Sequence, residues 1–161
     1  MPMPAHLSLE GAKQGKFKGS CTIQGRADTI LVQAMDHTVE IPKSPQTGQP
    51  TGKRVHMPLI VTAEIDKATP QVFTALCSGE QLKTVQLDFY RIDQNGSEKL
   101  YYTIKAENAI CVSAHAWFPN ALEAASASLG HMIDYSFTYE KITWTWQDGG
   151  IECTDSWNAP K

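Results

Sequence analysis

Alternation between apolar and polar residues dominates this chain, and residues 54–66 show it most cleanly. Val55, Met57, Leu59, Val61, Ala63 and Ile65 point one way, and His56, Pro58, Ile60, Thr62 and Glu64 point the other. A period of two over that length predicts a strand with one face on a core. Residues 82–92 and 97–112 alternate in the same manner on either side of Asn95-Gly96, the strongest short-range signal for a hairpin. With Asn95 and Gly96 as the two loop residues, Phe89 faces Tyr102, Leu87 faces Ile104 and Val85 faces Ala106. All six side chains then share one face, so turn chemistry and hydrophobic pattern agree.

Residues 131–146 read as another long strand, with Ile133, Tyr135, Phe137 and Tyr139 on one face. Beyond Glu140 the apolar set becomes Ile142, Trp144 and Trp146. A slip of one residue predicts a β-bulge near Glu140 and Lys141, which would bend the strand as barrels require. Gly149-Gly150 then turns the chain into a short final strand ending near Trp157. Residues 29–41 are apolar on both faces in part: Leu31, Met35, Val39 and Ile41 on one, Ile30, Val32 and Ala34 on the other. In an antiparallel protein such a strand needs a second partner, and another subunit is one candidate. One good helix stands out, at about 69–78. Thr69 fits the N-cap, Pro70 the first helical position, and Gly79 the C-terminal cap, with Val72, Phe73, Leu76 and Cys77 on one stripe. So short a helix must pack its stripe against a sheet. The predicted fold is all-β, an antiparallel barrel or sandwich with one short packed helix, in a single domain over 1–161.

Residues 42–58, PKSPQTGQPTGKRVHMP, break this pattern with four prolines and two glycines. Proline lacks an amide donor and glycine resists regular pairing. A loop this long is usually functional or disordered, and its apolar edges and low net charge do not match a disordered tail. The segment reads as an extended arm ordered by touching something else, which points to assembly before catalysis.

Composition narrows the alternatives. The 161 residues are 42% hydrophobic and 19% charged, with a formal net charge of −3. That charge gives no basic field for nucleic acid. The start, MPMPAHLSLEG, lacks the charged and apolar regions of a signal peptide, and no window approaches a membrane helix. The expected location is cytoplasmic, with any export requiring a dedicated machine. Cys21, Cys77, Cys111 and Cys153 are far apart, without metal-ligand spacing, and read as reduced, mostly buried thiols. Asp36 and His37 are neighbours that would point to opposite faces of a strand, so His37 reads as a hydrogen-bonded core residue rather than a base with its orienter. No GxSxG, P-loop or paired-carboxylate pattern appears. No catalytic, metal or cofactor residue is assigned and the expectation is not an enzyme, while a cysteine nucleophile with a distant histidine stays open as the minor alternative. Trp144, Trp146 and Trp157, with Tyr135 and Tyr139, read as core rather than as a carbohydrate platform. The Ala/Ser-rich stretch 120–130 is either a mobile rim element or a tolerated surface insertion.

Several long, ordered motifs carry a family resemblance: TGQPTGKRVHMPL, EIDKATPQVFTALCSGEQL, LDFYRI, LYYTIKAENA, GHMIDYSFTYEKITWTWQDG and the closing DSWNAPK. Together they resemble the Hcp (haemolysin-coregulated) proteins of type VI secretion systems over nearly the whole chain, with residues 15–28 and 117–130 departing from the family pattern. The resemblance implies a β-barrel subunit of homohexameric rings that stack into a tube inside a contractile sheath. It implies a VgrG spike at the tip, baseplate proteins as further partners, and effectors carried in the lumen. By the same resemblance the protein stays cytoplasmic until fired and is then secreted or delivered into a target cell without a signal peptide. Ending at Lys161, the chain resembles the bare structural form rather than relatives with a C-terminal toxin domain. The arm residues that would engage neighbouring subunits and stacked rings are Gln46, Thr47, Gly48, Gln49, Pro50, Thr51, Gly52, Lys53 and Arg54. A phage-type tail-tube protein would share these mechanics and is the nearest alternative.

Overall fold

The computed structural model describes residues 3–157. In chain order the strands are β1 (Ala5–Gly11), β2 (Gly15–Lys16), β3 (Ile30–Asp36), β4 (Val39–Glu40), β5 (Val55–His56), β6 (Leu59–Glu64), β7 (Leu82–Ile92), β8 (Glu98–Trp117), β9 (Met132–Thr138), β10 (Lys141–Trp146) and β11 (Ile151–Ser156). Helix α1 (Thr69–Ser78) lies between β6 and β7, and a short 3-10 turn, Ala124–Ser126, precedes β9 within the Ala/Ser-rich stretch.

Pairing runs β8–β7–β1–β3–β6–β9 and returns from β9 to β8, closing a six-stranded antiparallel barrel. The interior is the alternating apolar set: Leu7 and Leu9 on β1, Ile30 and Val32 on β3, Leu59 and Val61 on β6, Val85 and Leu87 on β7, Ile104 and Cys111 on β8, Tyr135 and Phe137 on β9. Burial of these side chains stabilises the barrel by roughly 1.5–3 kcal/mol each relative to leaving them exposed. β10 and β11 continue the sheet beyond the barrel from the first half of β8. α1 packs beside β8 with Val72 and Ala75 buried, and the Thr69 and Tyr135 hydroxyls meet at 3.0 Å.

The hairpin has the expected pairs, Phe89 with Tyr102, Leu87 with Ile104 and Val85 with Ala106, but not the expected turn. Asp93 donates its amide to the Ser97 carbonyl at 2.8 Å, so Gln94, Asn95 and Gly96 form a three-residue loop. Gly96 takes the left-handed conformation (φ 80°) such a loop requires. The extra residue would put every deeper pair out of step, yet Tyr90 faces Leu100 while Phe89 faces Tyr102. Tyr101 is the bulged residue that restores the register.

The slip beyond Glu140 is present, but its cause is not a bulge at Glu140–Lys141. Thr138 faces Ile110 and Lys141 faces Glu107, so the two strands keep one register across the break. Both change face together: Tyr139 and Ile142 are buried around exposed Glu140 and Lys141, as Ala106 and Ala109 are around Glu107 and Asn108. β7 does the same between Leu82 and Val85. A bend crosses three strands at one level, with Asn108 left-handed (φ 52°) at its centre. The recorded bulge on this edge lies between Cys111 and Ser113.

Five further expectations need correction. Residues 54–66 are two strands, not one, because Pro58 offers no amide to a ladder; ahead of it the phase inverts, so His56 is buried while Met57 is 43% exposed. The helix N-cap is Ala68 rather than Thr69, and the amide of Ala68 is satisfied by the Asp66 carboxylate at 3.0 Å. Cys77 falls off the buried stripe, and of the four free thiols only Cys111 is buried. Trp146 and Trp157 are 37% and 45% exposed, and only Trp144 packs against the core. Arg91 lies over Trp146, 5.3 Å from the ring centroid.

Phe137 on β9 pairs with Leu59 on the neighbouring strand β6 and is fully buried. Phe137→Ala should destabilise the barrel by about 3–5 kcal/mol, seen as a lower midpoint in urea unfolding. An unchanged midpoint would place Phe137 outside the shared core.

Candidate assembly arm and its anchor

The proline-rich segment is a narrow ribbon rather than a loose loop. At its root Val39 pairs with His56 and Glu40 with Val55. Prolines limit further ladder bonds, so pairing continues in single contacts: the Thr51 amide reaches the Pro42 carbonyl at 2.8 Å, and Lys43 bridges to Pro50. The tip closes through the Ser44 amide on the Gln49 carbonyl (2.9 Å) and the Gly48 amide on the Ser44 carbonyl (2.8 Å). The Ser44 hydroxyl accepts from the amides of Gln46 and Thr47. Gly48 is left-handed (φ 73°), where a side chain would be strained. The ribbon thus satisfies its tip backbone locally while its side chains face outward.

Gln46, Thr47, Gly48, Gln49, Pro50, Thr51, Gly52 and Lys53 are all exposed. Arg54 differs. Half-buried, it donates through Nε to the Asp155 carboxylate at 2.5 Å and through its terminal nitrogen to the Ser156 carbonyl at 2.7 Å. It belongs to the root of the arm, tied to β11, while the eight residues before it form the outer part. Between residues 42 and 53 the chain carries Lys43 and Lys53 and no carboxylate, so the outer arm is positive.

The root is held by a polar cluster drawn from four places in the sequence. His56 Nε2 lies 2.7 Å from Asp155 Oδ2 and His56 Nδ1 lies 2.7 Å from the Tyr139 hydroxyl. His37 Nε2 meets the same hydroxyl at 2.7 Å. Carboxylates only accept, so Asp155 assigns a proton to His56 Nε2; a neutral His56 then accepts from Tyr139 at Nδ1, and Tyr139 accepts from His37 Nε2. Trp144 stacks near His56 at 14° with ring centroids 6.4 Å apart, and Trp157 covers it at 5.2 Å. The Arg54 hydrogen bond, and after it that of His56, hold the Asp155 carboxyl down to about 2. Burial pushes the Tyr139 phenol well above its usual range, and burial together with the nearby His56 lowers His37.

His37 is indeed hydrogen-bonded, though at the arm root rather than inside the barrel. The residues the sequence did not single out are Tyr139, His56 and Asp155. Their partners lie 83 to 102 positions away, so spacing carries no trace of the cluster. Its one visible mark is the face change at Tyr139, which aims that ring toward the arm. Among the described residues no group of three or more His, Cys, Asp or Glu is placed to hold a metal ion, and no helix is long and apolar enough to cross a membrane.

A six-stranded antiparallel barrel with a packed helix and a ribbon arm places the chain among all-β barrel proteins. Over residues 6–146 the chain matches the family described as "Type VI secretion system effector, Hcp". It is 39% identical to the "Major exported protein" of Pseudomonas aeruginosa strain PAO1, covering 99% of this chain and 98% of that protein. A crystal structure of an Hcp protein superposes with a TM-score of 0.91 at 31% identity, over 98% of this chain and 99% of the other. Hcp1 from E. coli EAEC 042 gives 0.86 at 34% identity, over 96% and 99%. The chain belongs to the Hcp family of the type VI secretion system.

Asp155 is depressed, so its contribution to the anchor is complete above the ordinary carboxylate range near ~4 and fades as pH falls toward 2. Arg54→Met should return the Asp155 midpoint toward about 4, read by carboxyl NMR titration. A midpoint that stayed low would transfer the cause to His56.

Proposed function

We propose that this protein is a non-catalytic tube subunit: six copies form a ring, rings stack through the arms, and the lumen carries effectors. The observation that carries the reading is the outer arm, eight consecutive exposed residues from Gln46 to Lys53 on a stapled and anchored ribbon. Proline lowers the conformational freedom an exposed segment must give up on docking. An arm ordered before contact therefore loses less when it engages a neighbouring subunit.

The barrel wall beside the arm supports the same reading. Leu31 on β3 and Ile65 after β6 are more than 40% exposed and line a cavity of about 340 Å³. Met57 and Ile60 line another of about 320 Å³ at the arm root. Apolar groups open to water at both ends of one strand pair fit a wall that a second copy would cover. The partners implied are further copies of the chain, the VgrG spike, sheath and baseplate proteins, and effectors. Export would follow firing, without a signal peptide, in keeping with the name of the Pseudomonas aeruginosa relative. Against a cysteine enzyme stands Cys111, whose thiol burial pushes up to about 11, far from the low value a nucleophilic thiolate needs.

The test removes the outer arm and spares its anchor. Light scattering of the intact protein should give about six times the 17.8 kDa chain mass. Replacing residues 46–53 by a short Gly/Ser turn, with Arg54 retained, should keep the barrel's circular dichroism and thermal midpoint while reducing ring or stack mass. Unchanged mass and stacking would remove the arm from assembly.

A further inference from the structure

The cluster at the arm root has a property that follows from counting its protons. One hydroxyl, on Tyr139, sits 2.7 Å from an imidazole nitrogen of His37 and 2.7 Å from one of His56. A phenol donates one hydrogen bond and accepts others. With both rings neutral, His37 Nε2–H donates to Tyr139, Tyr139 donates to His56 Nδ1, and His56 Nε2–H donates to Asp155. The phenol and both His56 nitrogens each then have a partner. Adding one proton to His56 reverses the order: His56 Nδ1–H donates to Tyr139, and Tyr139 donates to a His37 whose proton has moved to Nδ1. Asp155 then faces an imidazolium, and the Tyr139 hydroxyl and both His56 nitrogens keep their partners. A second proton has no such solution. Both rings would aim N–H groups at the one phenolic oxygen, whose own hydrogen would lose its acceptor, and two cations would flank it.

We propose that His37, Tyr139 and His56 form a proton-counting latch, which holds the arm root closed with zero or one added proton and releases it when both imidazoles are charged. The latch is placed to act on the arm as a whole. His37 directly precedes Thr38, whose carbonyl accepts the Met57 amide at 3.0 Å, and His56 pairs with Val39 across the ribbon. Losing the shared hydroxyl therefore releases the His37 side of the root and loosens the ladder bonds the two strands share, while Arg54 and His56 keep their hold on Asp155.

The groups facing the two rings set its direction. Asp36 at the end of β3 favours the charged form of His37, and Glu40 on β4 lines the same recess. Asp155 on β11 faces His56, with Arg54 beside it on the same carboxylate oxygen. Burial and the charge of His56 oppose Asp36 and outweigh it, lowering His37 from its ordinary value. A histidine lowered in the folded state stabilises it fully above about pH 6.5, and that contribution is lost as pH falls below. The latch is therefore closed at neutral pH and opens on acidification. Buried His6 on β1 is lowered in the same direction, chiefly by burial and then by Arg26, so the barrel carries an acid sensitivity of its own that serves as an internal control.

The test is amide hydrogen exchange resolved by residue on the intact protein, with solution mass recorded on the same samples. Protection at residues 38–40 and 55–57, corrected for intrinsic rates and divided by that of β6, should fall at least tenfold between pH 7.5 and pH 5. His37→Gln keeps an N–H donor for Tyr139 but takes up no proton, and its ratio should stay flat over that range. If His37→Gln does not fold, Tyr139→Phe replaces it: the root should already exchange fast at pH 7.5, with little further fall. A flat ratio in the unaltered protein would overturn the latch, as would an equal fall in His37→Gln, or in Tyr139→Phe where it serves instead. So would a loss shared equally by β1 and β6, which would point to His6 and the barrel. Any effect of the latch on stacking rests on the arm's role in assembly. A monomeric mass at pH 7.5 would count against that role alone, because the exchange ratio reads the root whether or not rings form.

Discussion

β8 is the constraint on which the rest of the molecule depends. It is twenty residues long, and its two halves have different neighbours on one side: β10 beside the first half and β9 beside the second. Along the other side it pairs with β7 from Leu82 to Ile92. A straight strand of that length would keep both of its halves in one layer. The bend at Asn108, matched in β7 and at Tyr139–Glu140, lets the second half curl inward to β9 and close the barrel while the first half holds β7 on one side and carries β10 on the other. Because all three strands turn at one level, the pairing survives and the apolar faces remain aligned.

That bend also makes the arm root possible. Tyr139 lies inside it, between the last residue of β9 and the first of β10, and its hydroxyl leaves the barrel toward His37 and His56. β10 then hands the chain through Gly149-Gly150 to β11, which returns Asp155 to the same place. A ribbon of two residue pairs is far too short to be stable alone. Charge-assisted bonds from Arg54 and His56 to one carboxylate supply what the missing ladder cannot.

The sequence made the fold class, the hairpin pairs and the final strand legible because alternation and turn residues are local signals. Where it misled, two local signals were in conflict with a third that only tertiary structure reveals. Asn95-Gly96 called for a two-residue loop, and the bulge at Tyr101 hid the error by restoring the register. The slip beyond Glu140 looked like an inserted residue, since one strand cannot show that its partner slips with it. Val55 and Met57 continued the alternation of β6 on paper, while Pro58 broke the strand and turned His56 inward. The arm was readable from its prolines and glycines. Its anchor was not, because Tyr139, Asp155 and the two histidines look unremarkable one at a time, and their meeting is a consequence of the bend.

Polar anchoring suits an arm whose outer part must stay exposed. An apolar root would need more buried area than two residue pairs can offer, and it would tolerate sliding, because burial has no direction. Hydrogen bonds to a single carboxylate oxygen and a single hydroxyl do have direction. They fix the angle at which the ribbon leaves the barrel, and Trp144 and Trp157 keep that site partly dry, which strengthens the bonds. Prolines and the Ser44 turn then carry that fixed angle outward to the tip without requiring any core of their own. Rigidity in the outer arm is therefore imposed from the root by geometry and maintained along its length by restricted backbone freedom, and the exposed side chains remain available for contact.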